Sequence, residues 1–173
     1  MATLLAEQHT LEEILKSFVL TPIEQPEILP TVLPLILGGI VIELYFGKHE
    51  REDLGWNTAV GNAIIWVTTG VTLLMTTPGL NQGERFAAYA LIGLGGFVGY
   101  MDFYHKWSDQ VAFLVSSSGM VYTLAYIGVI LIKTSTPINR TTLKASAIFF
   151  LSTMAVFKVV QSMETSQDPY SLN

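Results

Sequence analysis

The stretch VAFLVSSSGMVYTLAYIGVILI, residues Val111–Ile132, carries no charged side chain from end to end. A helix needs about 20 predominantly apolar residues to cross the roughly 30 Å of hydrocarbon in a bilayer, and this stretch is long enough. Four further stretches of the 173-residue chain also meet the requirement: Ile28–Phe46, Thr58–Thr77, Phe86–Tyr104 and Leu143–Met163. The sequence therefore predicts an all-α, polytopic integral membrane protein, a bundle of five transmembrane helices.

The composition of the chain agrees with a membrane protein. Only 13% of the residues are charged, against roughly 25% in soluble domains, and the mean hydropathy is +0.46. The formal net charge of -5 has the wrong sign for binding phosphate backbones, which argues against a nucleic-acid partner. With no cysteine, the chain can form neither disulfides nor thiolate metal sites.

Short connections define the predicted topology. The segments 47–57, 78–85, 105–110 and 133–142 are brief enough to make neighbouring spans antiparallel, so the two ends of the bundle lie on opposite sides of the membrane. One face would carry Lys48, Arg51, Lys106 and Lys158, and the other Lys16, Arg85, Lys133, Arg140 and Lys144. This near balance of basic residues leaves the orientation of the multi-pass protein open.

Residues 1–27 are predicted to form an amphipathic interfacial helix and a Pro-rich connector. Thr10 and Glu13 have the spacing of a capping box, and the apolar residues that follow recur at helical intervals. The helix is too short to span a bilayer, so we expect it to lie at the interface or to pack on other helices. Pro22, Pro26 and Pro30 favour an extended connector before the bundle at 28–163. Residues 164–173 read as a polar, solvent-exposed tail.

Glycines inside the spans predict close helix packing. Gly95 and Gly99 lie four residues apart in the third span, and Gly38 and Gly39 lie in the first. In lipid, such small residues let a neighbouring backbone approach closely. The contact can be made within the bundle or with another membrane chain, and the sequence leaves both open.

Two acidic residues lie where apolar residues are expected. Glu43 near the end of the first span and Asp102 near the end of the third are each followed by an apolar residue and a tyrosine. The two spans run in the same direction, so these acids should lie near one face of the membrane. The candidate polar or ion site consists of Glu43, Asp102, His105, His49 and Asn57.

Three interpretations of this region compete. In the simplest, Tyr45, Trp56, Tyr104 and Trp107 are interfacial anchors, and the acids pair with nearby lysines such as Lys48 and Lys106. In the second, the carboxylates form the mouth of a proton or cation pathway. In the third, Asp102 and His105, three residues apart, bind a metal with Glu43 or His49. No ordered metal motif supports this third interpretation, so no metal is predicted.

The sequence carries no motif of a catalytic site. It has no serine in a strained glycine turn, no phosphate loop and too few histidines for a di-iron centre. We therefore expect a protein that is not an enzyme and needs no cofactor. The favoured function is a non-catalytic subunit that packs into a larger membrane assembly, either with copies of itself or with other membrane subunits, and in contact with lipids. The alternative is a small ion or proton channel or transporter that uses acidic residues at one membrane face.

An odd number of spans is directly testable. Reporter fusions at Met1 and at Asn173 should report opposite compartments, because five spans place the two ends on different sides. If both reporters lie in one compartment, one span is missing. The first predicted span, which carries Pro34 and Glu43, is then the segment that does not cross the membrane.

Overall fold

The computed structural model describes residues 9–48 and 55–164, which form helices joined by short turns and contain no strand. The helices are α1 (Leu11–Glu24), α2 (Leu29–Lys48), α3 (Trp56–Thr76), α4 (Gln82–Phe103), α5 (Asp109–Val115), α6 (Ser118–Lys133) and α7 (Arg140–Glu164), with a 3-10 turn at Pro26–Ile28. The predicted all-α fold is confirmed.

Five helical segments are long and apolar enough to cross a membrane, as predicted. They are Pro26–Tyr45, Trp56–Thr76, Gln82–Phe103, Asp109–Lys133 and Arg140–Ser162. The fourth segment contains both α5 and α6, and it is the most deeply buried of the five. The helix α6 contacts α1, α2, α3, α4, α5 and α7, so it forms the centre of the bundle.

The closest helix pair is α3 with α4, and glycines allow it. A Cβ atom added to Gly95 would lie only 2.8 Å from the carbonyl oxygen of Ala63, and one added to Gly70 would lie 2.7 Å from that of Ala88. Gly99 faces the same helix at an ordinary contact distance, 3.5 Å from the Cβ of Ala63. At Gly70 and Gly95 the backbones of α3 and α4 therefore approach more closely than any side chain would permit.

The glycines of the first span also pack inside the chain. Gly38 and Gly39 both face the side chain of Tyr122 on α6. A Cβ atom added to Gly38 would lie 2.5 Å from the nearest Tyr122 atom, and one added to Gly39 would lie 3.5 Å from the Tyr122 atom nearest to it. All four glycines predicted to mediate packing thus make contacts within this bundle.

The helix α1 begins at the predicted capping box. The backbone N–H of Thr10 donates to Oε2 of Glu13 at 2.7 Å, and the N–H of Glu13 donates to the Thr10 hydroxyl at 3.2 Å. These bonds hold the pKa of Glu13 below its usual value, the backbone bond having the larger effect. Ile14 and Phe18 are buried, and the Phe18 ring lies 4.8 Å from that of Phe149 on α7. The helix α1 therefore packs on the bundle.

The prediction of an extended proline connector is wrong, because the prolines lie within helical structure. Pro22 is inside α1, where its missing N–H would have bonded to the carbonyl oxygen of Phe18. The hydroxyl of Tyr126 donates to this oxygen instead, at 2.6 Å. Pro26 opens the 3-10 turn and Pro30 lies in the first turn of α2, where backbone N–H groups need no helical partner. Tertiary contacts thus replace the bond that Pro22 removes.

The α3–α4 contact can be tested with two neighbouring glycines. Gly95→Ala should lower the free energy of unfolding by about 1–3 kcal/mol, since its Cβ would collide with the Ala63 carbonyl. Gly96→Ala is the matched control, because no atom lies within 4 Å of its added Cβ. Thermal unfolding in mild detergent would compare the two, and equal effects would contradict the close approach of α3 and α4.

Candidate functional site at the break in the fourth span

The fourth span is two helices, although the sequence predicted one helix over Val111–Ile132. The helix α5 ends at Val115 and α6 starts at Ser118, and Ser117 has the extended backbone (φ -60°, ψ 144°) of a residue that precedes a helix. The Ser117 hydroxyl does not cap α6 but donates to the carbonyl of Leu114 at 3.0 Å, in the last turn of α5. At 1.5 Å per residue α6 is about 24 Å long, so the break lies inside the span.

Asp102 reaches this break from the last turn of α4. Its side chain is 0% exposed. The Ser116 hydroxyl donates to Oδ2 at 2.6 Å, and the Trp107 indole N–H donates to Oδ1 at 2.7 Å. Both oxygens of this carboxylate therefore have a donor.

The end of α4 explains how Trp107 comes to face Asp102. His105 has a left-handed backbone (φ 49°), the N–H of His105 donates to the carbonyl of Asp102, and the N–H of Lys106 donates to that of Met101. This is the Schellman arrangement, which ends a helix and reverses the chain sharply. The reversal brings Trp107 back onto the last turn of α4.

Glu43 reaches the other side of the break from α2. It is 5% exposed, and its Oε1 accepts from the Ser118 hydroxyl at 2.6 Å while its Oε2 accepts from the side-chain amide of Gln161 on α7. A Cβ added to Gly119 would lie 3.2 Å from Oε1, so the carboxylate lies against the first turn of α6. The N-terminus of a helix favours negative charge, and α6 presents its N-terminus here.

Gln161 links Glu43 to a charged residue at the surface. Its Oε1 accepts from the ammonium group of Lys158 at 3.1 Å, and this bond turns its amide N–H group towards Glu43. Lys158 is exposed. Glu43 is thus connected to the positively charged Lys158 only indirectly, through the side-chain amide of Gln161.

The helix α3 donates to one backbone carbonyl at the break and to another inside α6. The side-chain amide of Asn62 donates to the carbonyl oxygen of Ser116 at 2.7 Å, and the indole N–H of Trp66 donates to that of Val121 at 2.9 Å. Asn62 and Trp66 lie one helical turn apart and are both buried. The non-helical backbone inside the span is therefore held by α3, as burial in an apolar environment requires.

The two acids thus contact one short segment, at serines two residues apart. Their donors are hydroxyl, indole and amide groups, and none of the donors found in the described part of the chain is basic. Within residues 9–48 and 55–164 the one ion pair joins Lys16 to Glu12 on α1. The expected lysine partners therefore do not appear at Asp102, and the side chain of Lys48 lies outside the described residues.

The side chains of His105 and Asn57 do not bond to the carboxylates. His105 stacks on Trp56 at 3.9 Å between ring centroids, and Trp56 also meets the edge of Phe113 at 5.5 Å. Asn57 is exposed at the start of α3, and His49 lies outside the described residues. Of the four predicted anchors, Tyr45 and Tyr104 are exposed while Trp56 and Trp107 make the contacts described above.

A metal site does not form among the residues that the structure describes. No group of three His, Asp or Glu side chains in these ranges could hold an ion. The side chains of Asp102 and His105, which were predicted as a possible metal-binding pair, have different partners. Asp102 bonds to Ser116, and His105 stacks on Trp56.

Sequence reasoning missed the donors that complete this site. The sequence predicts that Ser116 and Ser118 pack and hydrogen-bond across helices, but it does not indicate the acids as their partners or Gln161 as a donor. The signal was present in the three consecutive serines and a glycine at 116–119, since serine is a strong N-cap residue and such a run inside an apolar span indicates a helix break.

Comparison of the chain with protein-family models, with curated proteins and with solved structures finds no match. The function is therefore argued from the geometry of this site.

The role of Asn62 in holding the break is testable. Asn62→Leu should lower the free energy of unfolding by about 1–3 kcal/mol, because it leaves the buried Ser116 carbonyl without its side-chain donor. Thr68→Val is the control on the same helix, since the Thr68 hydroxyl is exposed and bonds only to carbonyls of its own helix. Thermal unfolding in detergent measures both, and an Asn62→Leu protein as stable as the control would refute this role.

Proposed function

We propose that this integral membrane protein is a small transporter or channel for protons or small monovalent cations, and that Glu43 and Asp102 form its ion site. One observation carries the proposal. Carboxylates from two different helices are buried at a break in a membrane span, and each is bonded to a serine beside that break. Broken helices that line polar sites are a recurrent feature of transport proteins.

The charge of the site supports this proposal. Ionised side chains inside a span are costly, so they face protein or water and are compensated by opposite charge. The four donors that the described residues provide to Glu43 and Asp102 are neutral groups. Such donors offset part of the cost of burial, but they add no positive charge. A proton or a cation that arrives from solution would supply it.

The position of the site supports access from one face. Glu43 lies five residues before the end of α2, about 7 Å along the helix. The bonds from exposed Lys158 to Gln161 and from Gln161 to Glu43 form a polar connection between this face and the buried carboxylate. An ion would therefore enter beside the end of α7.

A packing subunit of a larger membrane assembly is the second candidate. One observation favours it: Gly93 and Gly96 lie on the outer side of α4, with open space around both, between the exposed rings of Tyr89 and Tyr100. A helix of a second copy or of another membrane chain could approach closely there. In either role we propose no enzymatic activity and no cofactor.

Ion flux in liposomes tests the proposed function. Purified protein should carry protons, sodium or potassium, and Glu43→Gln and Asp102→Asn should each reduce this flux about tenfold or more while the protein still folds and reconstitutes. Asp109→Asn is the matched control: it removes an acid from the same membrane face, but Asp109 is exposed at the start of α5. Its flux should equal that of the unaltered protein.

Two results would reject the proposal. If the unaltered protein carries no ion and its particle mass in detergent is a multiple of the chain mass, the subunit function replaces transport. If flux is present but unchanged in Glu43→Gln and Asp102→Asn, the two carboxylates only anchor helix ends.

A further inference from the structure

We infer that the ion is the proton, and that the buried hydroxyl of Thr123 on α6 is the next group on its route beyond Glu43. This inference rests on the proposed transport function and names its substrate. Three features support it. Every carboxylate oxygen of the two acids already accepts a hydrogen bond, the serine hydroxyls can both donate and accept, and the unpaired Thr123 hydroxyl lies one helical turn further along α6.

The carboxylate oxygens are arranged to accept hydrogen, which favours a proton over a metal cation. Each oxygen of Glu43 and of Asp102 already faces an O–H or N–H donor. The positive end of each donor occupies space that a sodium or potassium ion would need, and such ions require several converging oxygen ligands. A proton needs one lone pair on one oxygen, and an ionised carboxylate has about four such positions.

The donors divide into those that can pass a proton and those that can only hold the acids in place. A serine hydroxyl both donates and accepts, so Ser116 and Ser118 can each reverse their hydrogen bond when the carboxylate partner becomes protonated. The indole of Trp107 and the amide N–H of Gln161 only donate. When a proton from water binds Oε1 of Glu43, the carboxyl group becomes the donor and Ser118 the acceptor. Release of that proton restores the starting arrangement.

Thr123 lies below Glu43 on the same face of α6. Gly119 faces Oε1 of Glu43, and Thr123 follows Gly119 by four residues. Residues four apart share a helix face, so Thr123 is about 6 Å deeper along the same face. The proposed route therefore places one water molecule between the Thr123 hydroxyl and Glu43.

The Thr123 hydroxyl is one of four buried side-chain polar atoms that have no hydrogen-bond partner among the described residues, and it lies on the face of α6 that meets Glu43. The residue is 4% exposed, and its Oγ1 makes no hydrogen bond within the described part of the chain. Some helical threonines here bond back to a carbonyl of their own helix, as Thr76 does to Thr72 at 2.8 Å and Thr153 to Phe149 at 2.9 Å. A buried hydroxyl that forgoes this bond needs another partner, and a water molecule between Thr123 and Glu43 supplies one.

Thr123→Val separates a proton route from a structural role. The substitution keeps the shape and removes the hydroxyl, so proton flux should fall about tenfold or more. The temperature of thermal unfolding should stay the same or rise, because a buried polar group without a protein partner is removed. Thr123→Ser restores the hydroxyl and should restore flux. The measurement is the pH change reported by a dye inside liposomes under a fixed membrane potential.

The serines are tested in the same assay. Ser116→Ala and Ser118→Ala should each reduce proton flux to a similar degree as Thr123→Val. Ser117→Ala is the matched control in the same break, because the Ser117 hydroxyl is exposed and bonds to the carbonyl of Leu114. Particle size in detergent confirms that each variant is folded.

The outcomes distinguish this inference from the transport function itself. Sodium or potassium flux that depends on Glu43 and Asp102, with no proton flux, would agree with the transport function. It would contradict the inference that the transported ion is the proton. Proton flux that persists in Thr123→Val would overturn the route through Thr123. Absence of flux for all three ions would overturn both the inference and the transport function.

Discussion

Polar groups that lie inside the membrane must find partners within the protein, and the break at Ser116 and Ser117 is where this constraint is strongest. An interrupted helix exposes backbone carbonyls at a depth where water is scarce. Asn62 bonds to the carbonyl of Ser116, and the hydroxyls of Ser116 and Ser118 bond to two buried acids. The helices α2, α3 and α4 are therefore all joined to one short segment.

The same constraint decides how α1 attaches to the bundle. Pro22 removes one backbone donor from α1 and leaves the Phe18 carbonyl without its helical bond. Tyr126 on α6 donates to that carbonyl, and the Phe18 ring packs on Phe149 of α7. A residue that favours an extended chain in isolation thus becomes a point of attachment, because a tertiary donor replaces the missing bond.

Among the residues that the structure describes, the two buried acids accept four hydrogen bonds and none of them comes from a basic side chain. Neutral donors surround Glu43 and Asp102, and the nearest positive group along the bonds from Glu43 is Lys158, beyond Gln161. This arrangement gives both oxygens of each buried carboxylate a hydrogen-bond donor. Close packing adds to the specificity of the site, since Gly119 allows Glu43 to lie directly against α6.

The sequence by itself determined the five helical segments long and apolar enough to span a membrane, because length and composition are local properties of the chain. It also determined the capping box of α1. Only the tertiary structure decided which groups meet Glu43 and Asp102: Ser116, Ser118 and Gln161 come from distant parts of the chain, and local pattern does not encode such pairs. The helical state of the Pro22 region was likewise decided by a contact with Tyr126, since the stability of a helix containing proline depends on a partner for the freed carbonyl.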